Sequence, residues 1–489
     1  MIDLINTKKG QIILICFHFV LGLTVKYAAT ITALVYAGMF AAFCLDVFIT
    51  RDRDSRAGFY CLYLMGMEMV YRMVGAPFSW ELGKYVSILI LLVGILFGRR
   101  KYISYTFVFL LILLIPAIVL TEHPEPDRVR KMIMFGISGP LSLVFSGLYF
   151  YHRPILEETF VTKLKFSFLP AITICVALSV VANIADLEFT SLQSNSRAAG
   201  GFGANQVSTI LGWFILLALL LKFNKNKLTP FEWLDWVIIF YLVLRGFLTF
   251  SRGGIMGSIM ALMCSMAILY VTDHAYRKLI KKLIPYILLG VCFLVGVFYV
   301  ANNITGGMLL FRYKGYSTSE MKAGTKQEDS TMLTGRDDIM GADMIAFKEN
   351  PLWGTGVGMA EEYRIIHYGA AAAAHTEYTR LLSEHGFFGI LFMLIGMIIL
   401  PIVHFFREKG LIARYFFIAF LFISMFTMFH AAMRLAMPGI LFGIAFVHII
   451  PKVVQLTDPE ETSPIPEPNE IELPNLNSLN VIKQQELLF

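Results

Sequence analysis

The chain has 489 residues, of which 57% are hydrophobic and only 16% charged, with a formal net charge of +6. That balance excludes a water-soluble globular enzyme and reads as a polytopic membrane protein. All six cysteines, Cys16, Cys44, Cys61, Cys175, Cys264 and Cys292, sit inside apolar runs, which leaves neither a disulfide framework nor a metal-binding pair.

At roughly 20 apolar residues per crossing, about fourteen spans are predicted, near 11–27, 29–50, 57–75, 83–98, 102–121, 131–151, 166–187, 204–221, 231–249, 253–272, 283–301, 387–406, 412–429 and 436–451. The first follows Lys8 and Lys9, has no small-residue cleavage site after it, and is read as a retained span. If the N-terminus is cytoplasmic, every cytoplasmic loop is basic, from Arg51, Arg53 and Arg56 through Arg99, Arg100 and Lys101 to Arg407, Lys409 and Arg414. Arg128, Arg130 and Lys131 are the one cluster against the rule. The alternation predicts an even number of spans with both ends inside. The expected fold is an all-α transmembrane bundle with one large outer loop between spans 11 and 12. It divides into N-terminal helices at 1–189, a membrane region at 190–451 and a disordered, acidic, Pro-rich tail at 452–489.

The long loop starts near Asn302, and loops of that size are usually functional. Between Leu333 and Phe347, Met340, Met344, Ile345 and Phe347 predict a short amphipathic helix. Asn350-Pro351-Leu352-Trp353-Gly354-Thr355-Gly356-Val357-Gly358 then forms a glycine-rich turn. Gly354 and Gly356 allow a ligand close to backbone N–H groups, although such runs are more often plain turns. A nucleotide-binding reading fails because no soluble strand precedes them. The stretch His375 to Gly386 follows, and on a helix His375, Tyr378, Thr379 and Leu382 share one face, with Gly386 stopping the helix. An imidazole at a bilayer surface beside a large loop is the seed of an active site, or an interfacial ring facing headgroups.

Charges at span ends add to this. An arginine near mid-bilayer costs roughly 2.5–3.5 kcal/mol on insertion scales. Arg245 and Arg252 flank the outer ends of spans nine and ten, where Gly253 and Gly254 open the tenth and place Arg252 at the outer leaflet. A guanidinium fork there suits phosphate oxygens, or snorkels to headgroups. Arg197 precedes Gly200, Gly201 and Gly203 at the entry to the eighth span, where free N–H groups favour an anion. Glu68 and Arg72, at i and i+4, are expected to pair. Arg336, Asp337 and Asp338 can hold substrate, and Arg51-Asp52-Arg53-Asp54 reads as a solvated charge run.

Ser251-Arg252-Gly253-Gly254, the 350–358 turn, and His375-Thr376-Glu377-Tyr378 with Leu381, Leu382, Glu384 and Gly386 together resemble the O-antigen ligase and polymerase superfamily. Arg197 with Gly201-Phe202-Gly203-Ala204-Asn205 is similar to its upstream arginine motif, although Ala204-Asn205-Gln206 stands where the family more often has Asn-Pro-Asn. The likeness covers roughly residues 190 to 450 and includes the periplasmic loop, 302–386.

The resemblance implies an inverting, metal-independent inner-membrane glycosyltransferase of Gram-negative bacteria. Such an enzyme moves a glycan from undecaprenyl diphosphate to an acceptor at the periplasmic face, without a cofactor. Arg197 and Arg252 would hold the diphosphate, and His375 would be the general base. Arg245, Tyr378, Arg336, Gly354, Gly356, Asn205 and Arg380 are the expected substrate contacts, lipid A core or a glycan is the acceptor, and no nucleic acid is involved. A polymerase joining repeat units and a transporter or flippase are the alternatives.

Overall fold

A computed structural model of the chain describes residues 1–272, 274–324, 336–369, 374–408 and 410–451. The predicted tail at 452–489 lies outside the described residues. Helices dominate, and nine of those described are long and apolar enough to cross a membrane: Lys8–Tyr27, Ala29–Thr50, Pro126–Phe150, Glu157–Val181, Ala204–Phe223, Arg252–Thr272, Ile280–Ile304, Glu377–Arg407 and Leu411–Ala431. They fall on nine of the predicted stretches. The other five coincide with Arg56–Met73, Leu82–Phe97, the pair Tyr105–Leu113 and Ile115–Val119, Glu232–Leu248, and Met437–Ala445.

Position in the bundle explains which helices carry charge. Arg56–Met73 is buried on every face from Arg56 to Arg72, so other helices rather than lipid surround it, and polar groups on it can find partners. Ile280–Ile304 is the opposite case, since Leu288, Leu289 and Val295 on it are exposed and suit contact with lipid.

Close helix crossings rely on small residues. Met437–Ala445 lies along Pro126–Phe150, with Gly439 against Ser142 and Gly443 against Ser146. Ala204–Phe223 crosses Arg252–Thr272 where any Cβ on Gly254 would collide with the Ser208 carbonyl.

Contacts define two ends of the bundle. At one, Arg56 bonds Asp46 and Asp3. Arg153 bonds Asp52 at 2.7 Å, and a three-residue parallel strand pair joins Pro154–Leu156 to His448–Ile450. Asp52 is therefore not part of a solvated run: it is buried and also accepts from Tyr149 and the Ala57 amide. At the other end lie the loops carrying most of the predicted functional residues.

The long connection contains the helices Met308–Tyr313, Thr318–Ala323, Arg336–Glu349 and Ala360–Tyr368. The predicted amphipathic helix is present as Arg336–Glu349, but Ala342, Asp343 and Ala346 are its most buried residues rather than the methionines. Small side chains there let it approach the helix that opens at Glu377.

Candidate active site

The turn at 432–436 ties this end of the bundle together. Ala432 adopts φ 52, ψ −165, a region that only glycine enters readily and that costs other residues about 1–3 kcal/mol. Four hydrogen bonds hold the turn in place. The Met433 amide donates to Glu377 Oε2 at 3.1 Å, and Lys84 Nζ donates to the Met433 carbonyl at 2.9 Å. Arg72 donates to the Arg434 carbonyl at 2.9 Å, and the Ala436 amide donates to Glu68 Oε2 at 3.0 Å. Glu68 and Arg72 pair at 2.6 Å, as their spacing predicts.

Segments far apart in the chain meet around this turn. Arg434 donates to the carbonyl of Ala374 at 2.8 Å, next to His375. Arg72 donates to Gln206 at 2.9 Å and lies over Phe202, which stacks on Trp80. A Cβ on Gly253 would strike the ring of His430, on the helix leading into the turn. The glycine-rich loop before Ala204, the start of the Arg252 helix and the residues around His375 are thus assembled at one place.

Individual side chains are more varied. Arg252 is half-buried at the first position of its helix, with a long contact of 3.5 Å from its guanidinium to the Arg312 carbonyl. Arg312 in turn donates to Phe250, whose φ of 57 marks a tight turn just before Arg252. Arg197 stands on the exposed outer side of its loop, 3.9 Å from Glu188. Asn205 is partly buried in the first turn of the Ala204–Phe223 helix.

Several expectations need correction. His375 is not on a helix: the helix starts at Glu377, with the Thr376 side chain capping it by accepting from the Tyr378 amide. Competition from this cap is why the proposed shared face does not form. The Tyr378 hydroxyl donates to the Met425 carbonyl and so anchors one helix to another. Gly386 does not stop the helix but kinks it, with φ 55 and ψ −131.

The kink frees carbonyls, which the glycine-rich turn captures. Thr355 donates to Ser383 at 2.9 Å, Gly356 to Glu384 at 3.1 Å, and Phe387 back to Leu352 at 3.1 Å. The amides of Gly354 and Gly356 are spent on protein carbonyls, Gly354 donating to Asn350 at 3.0 Å. A side chain on Gly354 would strike the backbone of Glu384 in the kinked helix and one on Gly356 the backbone at Leu120–Thr121, so these glycines let the turn pack between the two.

Arg245 differs too. It is fully buried and donates to the carbonyls of Ala182, Leu178 and Ala198 at 2.8, 3.2 and 3.1 Å, which makes it an anchor for the 182–203 loop. The Arg336 and Asp337 side chains lie outside the described residues.

A polar cleft beside the turn contains residues the sequence reading did not single out. Lys84, Arg364, Arg380 and Arg434 line it, with Glu361, Glu377, Glu384 and the ring of Phe135. Most of these charges already have partners: Lys84 pairs with Glu81, Arg380 with Glu377, and Arg364 with Asp343. Asp343 also accepts from Thr379 at 2.8 Å. Burial pushes its carboxyl above the usual aspartate range despite those donors. Among these charged residues, Glu377, Arg380 and Glu384 had figured in the sequence motifs, whereas Lys84, Glu361 and Arg364 had not. Lys84 and Arg364 lie in other helices, and periodicity does not show what folds against them.

Residues 237–394 match the family described as O-antigen ligase. The chain therefore carries a region of the O-antigen ligase and polymerase superfamily, as its motifs had implied. Together with the nine apolar helices, this supports a multi-pass bacterial membrane protein of glycosyltransferase type, with lipid-linked glycans as the substrate class. No curated protein matches the chain. The O-antigen ligase region includes Arg245, Arg252, the long loop and His375. Arg72, Lys84, Arg197 and the 432–436 turn fall outside it.

Proposed function

We propose that the protein is an O-antigen ligase of the inner membrane, which transfers a preassembled glycan from undecaprenyl diphosphate to lipid A core at the periplasmic face. The observation that carries this reading is the meeting of Arg252's helix start and the His375 segment, both in the O-antigen ligase region, at the 432–436 turn. In the reaction the acceptor oxygen attacks the anomeric carbon, the bond from that carbon to the diphosphate breaks, and His375 takes the acceptor proton. Inversion follows from a single displacement. The leaving diphosphate is an anion, and guanidinium groups of Arg252 and Arg197 stabilise it in place of a divalent ion. A chelator such as EDTA is expected to leave the rate unchanged.

The test uses the purified protein in lipid nanodiscs with a glycosylated undecaprenyl diphosphate and lipid A core. Wild type should yield glycan attached to lipid A core, and His375→Ala should retain the donor while abolishing transfer. Lengthening of the carrier-linked glycan without lipid A core would establish a polymerase instead. Absence of both products overturns the transferase reading.

A further inference from the structure

We infer that the cleft between Lys84 and Arg434 is a binding site for an uncharged sugar ring, separate from the place that holds the diphosphate; this rests on the transferase reading above. The composition of the cleft decides its ligand class. Three carboxylates, Glu361, Glu377 and Glu384, share it with four cations. A diphosphate entering would face those carboxylates and would have to compete for Lys84, Arg364 and Arg380 with Glu81, Asp343 and Glu377, which already pair with them. Like charges in so buried a place oppose a second anion.

A sugar presents the opposite demand. Its hydroxyls both donate and accept, so adjacent carboxylates and guanidinium groups satisfy them without any net charge on the ligand. Arg380 has a donor in reserve, because its Nε is buried with no hydrogen-bond partner while its Nη2 donates to Glu377. Phe135, half exposed at the edge, supplies an apolar ring face for the C–H side of a sugar. Glu361 is exposed at the rim and completes the acceptors.

The location fits the chemistry. Ala374 lines the cleft and His375 is the next residue, so a sugar held here lies beside the base, while Arg252 takes the diphosphate.

Binding to nanodisc-embedded protein by native mass spectrometry separates the two places. The probes are undecaprenyl diphosphate and the same carrier bearing one N-acetylglucosamine. Wild type should bind the glycosylated carrier more tightly than the bare one. Glu361→Ala, on an exposed side chain that the fold does not need, should weaken the glycosylated carrier about tenfold and leave the bare carrier unchanged. Arg380→Gln should do the same, with melting temperature as the check on folding. Arg252→Ala should weaken both carriers. The inference is overturned if Glu361→Ala weakens both carriers equally or neither, or if wild type does not distinguish them. If wild type binds neither carrier, the transferase reading falls as well.

Discussion

Arg245 and Arg252 stand on either side of one turn, yet their surroundings assign them different work. The Arg245 guanidinium is buried against the carbonyls of Leu178, Ala182 and Ala198. Arg245→Met should leave those acceptors unsatisfied and destabilise the fold by roughly 3 kcal/mol. A lowered melting temperature, with residual transfer in whatever folds, is the expected result; unchanged melting would show that the carbonyls find other donors. Arg252 is half-buried at a helix start, where the dipole also favours an anion. Arg252→Lys keeps the charge but loses the planar fork, so transfer should fall by at least tenfold with no change in melting temperature. Full activity in Arg252→Lys would remove bidentate phosphate contact from its role.

At the level of elements, glycines decide how the site is put together. Gly254 meets the Ser208 backbone and Gly253 the His430 ring, while Ser208 Oγ donates to the Ser251 carbonyl at 2.9 Å. Alanine normally stabilises a helix relative to glycine by about 1 kcal/mol, but at Gly254 the added methyl has only backbone to displace. Gly254→Ala should therefore lower both melting temperature and transfer, and a stabilised, active variant would show that the crossing can relax. These crossings also show what the sequence could and could not reveal. Apolar runs placed the helices, because burial in lipid demands them, and the Ser251–Gly254 and His375–Glu377 motifs come together at one end of the bundle. The Glu68–Arg72 pair was legible because it is local. The 432–436 turn was not, since its partners Lys84, Arg72 and Glu377 come from three helices. The misplaced His375 and the spent amides of Gly354 and Gly356 share one cause: a cap and a kink formed by neighbouring backbone, which side-chain periodicity does not register.

Across the whole bundle, ion pairs occur at both ends, but most of the basic loops gather at one. The site end gathers the Arg72, Arg364 and Arg380 ion pairs around the 432–436 turn. The other end holds the basic loops: Arg99 bonds back to the Arg51 carbonyl, and Arg100 to that of His152. Because short basic loops stay in the cytoplasm, the site end is proposed to face the periplasm. Impermeant maleimide labelling of intact spheroplasts checks this on full-length protein lacking its native cysteines. Glu349→Cys, exposed at the end of the Arg336–Glu349 helix, should label from outside. Lys227→Cys, exposed in the turn before Glu232, should label only after the cells are opened. The reverse pattern would put the site in the cytosol, where nucleotide-sugar donors are at hand and the case for a lipid-linked donor disappears.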